Sequence, residues 1–320
     1  MPNASKAYGF SPWQVERFKE NPIITPYLMG NLEENINNPT LVRVPDWAGA
    51  KLGRYYLYFS HHEGTYLRLA YADDLRGPWK IHVPGVLSCA SLPWRPDHIA
   101  SPDVIIDEES KQFLMYFHTP TAPMIKSDHP NYYRLGLTVP QRTFLALSSD
   151  GLHFVLDSEK ELTQFYLRVW RRKDHWYGLA RAAVPLYRSR DGRTFEEIPG
   201  PFSRHPEEFR HIRHVAVMHD EDILTVFYSR LYDAPESIFM VRLAMTDNWI
   251  DWEIKESPRL VLAPETGYEG VHLPLVPSQL GSTRGFENAL RDPYVFRENG
   301  RLYLLYCVLA ERGIAIAEMF

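Results

Sequence analysis

Apolar and polar positions alternate along this chain in short runs, and the runs recur as one phrase. It appears as Arg68-Leu-Ala-Tyr-Ala-Asp-Asp74 followed by Trp79, and as Leu145-Ala-Leu-Ser-Ser-Asp150 followed by Phe154. It returns as Leu186-Tyr-Arg-Ser-Arg-Asp191 with Phe195, and as Arg242-Leu-Ala-Met-Thr-Asp247 with Trp252. A shortened fifth copy is Ile314-Ala-Ile-Ala-Glu-Met-Phe320. Each full copy reads as an apolar strand, a polar turn carrying Asp, and an aromatic that opens the next strand. A second phrase precedes each copy: a strand, a charged turn and an aromatic-rich strand. Its first two instances are residues 40–44 with Arg54-Tyr-Tyr-Leu-Tyr-Phe59, and 103–106 with Gln112-Phe-Leu-Met-Tyr-Phe117. The others are 167–170 with His175-Trp-Tyr-Gly-Leu179, 214–218 with Ile223-Leu-Thr-Val-Phe-Tyr228, and 293–296 with Leu302-Tyr-Leu-Leu-Tyr306. Runs of β-branched and aromatic residues bounded by Asp, Gly and Asn are strands. Asp150-Gly151, Asp191-Gly192 and Asn299-Gly300 are hairpin turns.

Five repeats of four strands predict an all-β chain, a five-bladed β-propeller of four-stranded antiparallel blades covering 1–320 as one domain. A sandwich of hairpins is the alternative, but it has no need of the same four-strand phrase five times. The fifth blade stops after its third strand. Asn21-Pro-Ile-Ile-Thr-Pro26 has the pattern of the missing fourth strand, as in Pro258-Arg-Leu-Val-Leu-Ala-Pro264, so it is expected to pair with the last blade. That pairing would join the two ends of the ring and remove an open edge.

Composition adds limits. Apolar residues at 45% and aromatics at 13% provide for a large core, and a net charge of −5 gives no reason to expect nucleic-acid binding. The start, Met1-Pro-Asn-Ala-Ser-Lys-Ala7, lacks the apolar stretch of a signal peptide, and no apolar run is long enough for a membrane span. A cytoplasmic location without membrane contact is therefore expected. Cys89 and Cys307 make no disulfide framework, and Cys307 in an apolar strand is expected to be a buried thiol.

The chemistry concentrates at one face. In an antiparallel blade the start of strand one and the end of strand two lie together. The turns at the opposite face are short and hydrophilic: 107–110, 171–174, 219–222, Asp150-Gly151 and Asp191-Gly192. The strand-one starts read Asn35-Ile-Asn-Asn-Pro39, His98-Ile-Ala-Ser-Pro-Asp103, Phe165-Tyr-Leu-Arg168, His211-Ile-Arg-His214 and Arg291-Asp-Pro293. The strand-two ends read His61-His-Glu63, His118, Arg181, Arg230 and Glu311, and two long irregular connections, 83–97 and 264–290, end at the same face. Innermost strands converge on the central channel, so these residues are expected to ring a funnel, the default place for a binding site. Among them are the carboxylates Asp103 and Asp292, the loop carboxylate Glu269, and the histidines His62, His98, His214 and His272. Glu33 and Glu34, and the third-strand Arg68 and Arg242, are expected to be structural. No His-Glu-x-x-His metal motif occurs, and Ser101 lacks the Gly-x-Ser-x-Gly context of a hydrolase elbow.

With Asn38-Pro39, Ser101-Pro102-Asp103 and Asp292-Pro293 opening innermost strands, the chain resembles the five-bladed glycoside hydrolases of the family 43 type, with families 117, 32 and 130 as structural cousins. The resemblance covers nearly the whole chain. It implies a carbohydrate-active enzyme, an oligosaccharide substrate in the funnel, and an inverting reaction between two carboxylates with water between them. It implies no required cofactor, although such enzymes often hold calcium or water at the axis; no calcium-loop motif is present. One departure bears on mechanism. The family's base is usually the Asp of a blade-one Asp-Pro, and here that position is Asn38, whose neutral amide takes no proton at neutral pH. The expectation is then that Asp103 and Asp292 fill the base and pKa-setting roles, with Glu269 or a histidine such as His214 as acid. Asn38, His62, His98 and His272 would contact substrate. Arg168, Arg213, Arg230 and Arg291 would bind sugar hydroxyls or an anionic group, and Trp47, Trp94 and Tyr166 are candidates to stack on sugar faces. Two other readings stand beside hydrolysis: a phosphate-dependent glycoside phosphorylase, and a carbohydrate-binding propeller without catalysis.

Overall fold

The computed structural model describes residues 9–10, 12–28, 30, 34–121, 141–180, 185–283 and 285–320. Its strands form five sheets. Blade one comprises Asn37–Arg43, Tyr55–Ser60, Tyr66–Ala72 and Lys80–Ser88. Blade two comprises Ala100–Asp107, Gln112–Pro120 and Gln141–Ser148, with Val155–Leu156 and Thr163–Gln164 sharing the outer position. Blade three is Arg168–Arg172, His175–Leu179, Pro185–Ser189 and Phe195–Pro199. Blade four is Ile212–Asp220, Ile223–Arg230 and Ile238–Ala244, with Glu253–Ile254 and Arg259–Leu262 outside. Blade five is Arg291–Glu298, Arg301–Cys307 and Ile314–Met319. The five innermost strands touch in a closed circuit, each against the next and the fifth against the first. That circuit distinguishes a propeller from a sandwich.

Alternation explains the core. In Tyr55–Ser60, the even residues Tyr56 and Tyr58 face blade two, packing with Phe113 and Met115. The odd residues Tyr55, Leu57 and Phe59 face blade five, packing with Leu305 and Ile316. Both faces of each blade are buried, so the middle strands read as continuous apolar runs. The same arrangement gives one core layer between blades two and three, one between three and four, and one between four and five.

The repeated Asp-Gly turns have a second function as latches. Ser148 Oγ accepts the Gly151 N–H at 2.9 Å, and Asp150 Oδ1 accepts the Leu152 and His153 N–H groups. Gly151 sits at φ 75°, and its carbonyl accepts the Tyr58 hydroxyl of blade one at 2.8 Å. One blade on, Tyr116 donates to the Gly192 carbonyl at 3.0 Å, and Asp191 and Ser189 repeat the turn.

The ring closes as expected, but through an earlier strand. Val15–Arg17 pairs antiparallel with Ile314–Met319 as the fourth strand of blade five. Of Asn21-Pro-Ile-Ile-Thr-Pro26, Ile24 alone pairs, in an isolated bridge to Ile314. Pro22 and Pro26 have no N–H to give a ladder, whereas Val15–Arg17 has no proline. Before it, Gly9–Phe10 lies parallel to Arg259–Leu262 on blade four, so the N-terminal chain spans the outside of two blades. The connection at 83–97 is more regular than expected, because the fourth strand of blade one runs on to Ser88. No helix among the described residues is long and apolar enough to cross a membrane.

Candidate functional site

Strand register brings the predicted face together. Asn37 lies opposite Ser60, Ala100 opposite His118, Ile212 opposite Arg230, and Arg291 opposite Cys307. Immediately after each of these pairs the ladder slips by a β-bulge. The bulged residues before proline are left-handed: Asn38 at φ 54°, Ser101 at 51° and Asp292 at 49°, with Tyr166 of the blade-three lead-in at 63°. A bulge re-aims a side chain, and here the result is a floor to which every blade contributes.

The floor is a connected set. The Asn38 N–H donates to Asp292 Oδ2 at 3.2 Å, and Asn38 Nδ2 donates to the Tyr166 hydroxyl at 3.2 Å. The Tyr166 ring lies 4.4 Å from that of His214, whose Nδ1 is paired with Asp292 Oδ1. His118 lies 5.1 Å from Tyr166, and His98 lies 5.8 Å from His118. All but Tyr166 are buried.

Charge on this floor is held by burial and pairing. Burial, reinforced by the neighbouring His62, pushes the His98 ring down to about 3. Burial and the other imidazoles push His118 far lower than usual, and burial lowers His214 as well. These rings are neutral at pH 7. Burial works to raise the Asp292 carboxyl, but His214 and Arg213 overcome it and hold Asp292 below the ordinary carboxylate range. The pair is then an ionised carboxylate receiving the Nδ1 proton of a neutral imidazole, a tautomer assigned from the contact. Such a carboxylate orients the ring and leaves Nε2 free to take a proton. Asn38 Oδ1, His98 Nδ1 and His118 Nδ1 are buried without a hydrogen-bond partner. Buried polar atoms are rarely left unpaired, so these three are open to a water or a polar group.

Asp103 lies one layer deeper. The Arg168 guanidinium donates to its Oδ1 at 3.1 Å, and the Val169 N–H donates to Oδ2 at 2.7 Å. Burial pushes this carboxyl up, with Arg168 opposing. Arg168 also donates to Thr40 Oγ1, Pro102 O and Val215 O, and lies over the Tyr294 ring at 5.5 Å. In this structure Asp103 and Arg168 are therefore engaged with each other and with the backbone of neighbouring blades. A guanidinium at this depth also fits an axial calcium poorly. Among the described residues, no group of three or more His, Cys, Asp or Glu side chains is arranged to hold a metal.

Glu269 is placed elsewhere. It lies outside the floor, between blade five and the chain following blade four. Its Oε1 accepts Arg17 Nε at 2.8 Å and the Tyr306 hydroxyl at 2.9 Å, while Oε2 accepts the Glu265 and Thr266 N–H groups. It is the reciprocal partner of a capping box that fixes the start of the long loop. His272 stands exposed on that loop.

The remaining arginines are also neutralised. Arg291 pairs with Glu236 at 2.7 Å and Glu287 at 2.5 Å, and Arg230 pairs with Asp233 at 2.7 Å. Arg213 lies 3.5 Å from Glu236 and donates to the carbonyls of Gln279 and Gly281. Arg213 and Arg291 thereby hold the long loop through Gln279, Gly281, Thr283 and Glu287. Glu236 and Glu311, both fully buried here, were not among the expected working residues. Glu311 follows a second-strand end, which was its one visible signal. Trp47 packs on Phe113 and Trp94 on Phe144, away from the floor. Glu33 and Arg181 lie outside the described residues.

Comparison with known proteins places this geometry. No family model matches the chain. It is 32% identical over 336 aligned residues to the uncharacterized protein R118 of Acanthamoeba polyphaga mimivirus, covering 95% of this chain and 90% of that protein. The chain belongs to the family of that viral protein. Its fold is that of the family 43 glycoside hydrolases. A β-xylosidase/α-arabinofuranosidase of that family from a compost metagenome, solved with xylotriose, superposes with a TM-score of 0.61 at 11% identity, covering 95% of each chain. An α-L-arabinofuranosidase from Lactobacillus brevis gives 0.59 at 13% identity, covering 93% of this chain and 92% of its own. At such identities the likeness is one of fold.

Proposed function

We propose that the chain is a glycoside hydrolase that cleaves a glycosidic bond of an oligosaccharide at the funnel floor, with inversion. The observation that carries this reading is the buried Asp292–His214 pair beside Asn38. A carboxylate absent from blade one is supplied by the adjoining blade five, at the equivalent bulge. In this reading His214 Nε2 accepts a proton from water as the water oxygen bonds to the anomeric carbon, and Asp292 orients the ring and balances the charge it gains. Asn38, Tyr166, His98 and His118 surround the sugar with uncharged groups that both donate and accept hydrogen bonds. A terminal pentose is the first substrate to try, because the structural neighbours are described as arabinofuranosidases and xylosidases.

The test is hydrolysis of aryl α-L-arabinofuranosides, aryl β-D-xylosides and the matching oligosaccharides. Asp292→Asn and His214→Gln are each expected to lower kcat by roughly 10²–10⁴, the range of a lost general base, in variants that circular dichroism shows to be folded at the assay temperature. Wild-type rates in both variants would overturn the assignment. A carbohydrate-binding propeller without catalysis is the second reading, supported by Asn38 at the position of the usual base; it predicts calorimetric binding of a saccharide with no product. For a phosphate-dependent phosphorylase no specific observation is in hand, because Arg213, Arg230 and Arg291 are paired with carboxylates.

A further inference from the structure

Glu311 is buried at the funnel mouth in a turn built under strain. The two residues before it, Leu309 at φ 51° and Ala310 at φ 68°, are consecutive non-glycine residues in the left-handed region. Each such residue costs on the order of 1 kcal/mol or more and persists only where its surroundings enforce it. Here they do. The Ala310 N–H donates to Ala289 O at 3.1 Å, the Arg312 N–H to Val308 O at 3.0 Å, and the Ile36 N–H to Glu311 O at 2.8 Å. The strained turn delivers one carboxylate to a defined place.

At that place Glu311 meets His62. Its Oε2 lies 3.4 Å from His62 Nδ1 and accepts Asn35 Nδ2 at 2.6 Å. Asn35 sets both partners, because its Oδ1 accepts the His62 backbone N–H at 2.9 Å. Asn35 is itself held by Arg68, which donates to its carbonyl at 2.8 Å. On the other side Arg213 and Arg291 lie 3.6 and 3.5 Å from Glu311 Oε1. His62 has 27% of its side chain exposed, whereas His98, His118 and His214 are buried. The floor therefore carries two carboxylate–imidazole pairs. Asp292–His214 is buried at the base, and Glu311–His62 stands at the mouth with access to solvent.

We infer that Glu311 is a positioning residue for His62, and that His62 is the group that protonates the leaving oxygen in the reaction proposed above. As the bond from the anomeric carbon to the glycosidic oxygen breaks, the His62 Nε2 proton passes to that oxygen. The water oxygen bonds to the anomeric carbon from the other side, and its proton goes to His214. Solvent then returns a proton to His62 and removes one from His214, so one water is consumed and nothing else is needed. An acid at the mouth suits a leaving saccharide that extends outward.

This inference rests on the hydrolase reading, and the experiment separates the two. Two glycosides of one sugar are compared, one with a saccharide leaving group and one with 2,4-dinitrophenolate, which departs without protonation. Cleavage of either by the wild type tests the hydrolase reading. His62→Gln is expected to lose about 10²–10⁴ on the saccharide and to stay within about tenfold of wild type on the dinitrophenyl glycoside. Glu311→Gln is expected to show the same selective loss, smaller in size. Equal losses on both substrates would overturn the assignment. Should the wild type cleave neither, ¹⁵N NMR of its imidazoles decides the pairing. A His62 ring that carries protons on both nitrogens, with Nδ1–H held toward Glu311, supports it, and a ring whose Nδ1 is unprotonated would sink it.

Discussion

Burial of neutral histidines has a consequence for stability that no contact shows. His98 titrates at about 3 in the folded chain, against about 6.5 unfolded. Above 6.5 neither state binds the proton. As pH falls below 6.5 the unfolded chain takes a proton that folded His98 refuses, so stability falls until about 3. One such group costs about 1.4 kcal/mol per pH unit across that window. His118 and His214 are lowered in the same direction by burial. Asp292 and Glu311, held low despite burial, lose their contribution only as pH falls through the carboxylate range. The unfolding free energy should therefore already decline between pH 6.5 and 5, before the carboxylates take part. Urea titrations at several pH values check this. In His98→Gln the decline should be shallower by about one histidine's slope, and an unchanged slope would refute the account. The sequence placed these histidines at one face because each begins or ends a strand whose register is set by alternation. It did not show their charge state, which depends on how closely the blades pack around them.

At the scale of the element, the recurrent Asp-Gly explains why the chain was readable at all. At Asp150-Gly151 and Asp191-Gly192 the turn performs two tasks: it reverses the chain, and it offers a carbonyl to a tyrosine of the preceding blade. Tyr58 to Gly151 and Tyr116 to Gly192 are the same contact one blade apart. Both tyrosines are buried, and their hydroxyls are held far above the usual range by burial. Tyr58→Phe leaves a buried carbonyl unpaired and should cost about 1–3 kcal/mol. Gly151→Ala should cost more than an exposed-turn substitution, because the added Cβ would stand 2.8 Å from the Tyr58 hydroxyl at a φ of 75°. Chemical denaturation of both variants, with the double variant to measure coupling, tests whether the turn acts as a latch; strictly additive effects would show that it does not. Glu269 illustrates the opposite case. Lying in a long loop with no repeated counterpart, it looked like a free carboxylate. Its partners Arg17 and Tyr306 come from distant parts of the chain, and no local pattern announces them.

At the scale of the molecule, five blades must be held in one ring, and a single buried cation does much of it. Arg168 of blade three reaches Thr40 of blade one, Pro102 and Asp103 of blade two, Val215 of blade four and the Tyr294 ring of blade five. In sequence it stood among several funnel arginines that looked equivalent, since the four other blades it reaches come from distant parts of the chain. Removing its charge strands Asp103, which has no other cation within hydrogen-bonding distance among the described contacts. Breaking a buried pair on one side typically costs about 3–5 kcal/mol, whereas replacing both members with apolar residues of similar size is often near neutral. Arg168→Met should therefore destabilise the fold by about that amount, and Arg168→Met combined with Asp103→Leu should recover part of it. The recovery matters most, because it separates a stranded charge from lost packing. If the double variant is no more stable than Arg168→Met alone, the axis depends on the shape of the arginine rather than on its pairing. Retention of the proposed hydrolysis in a recovered double variant would further separate the layer that holds the ring from the floor above it.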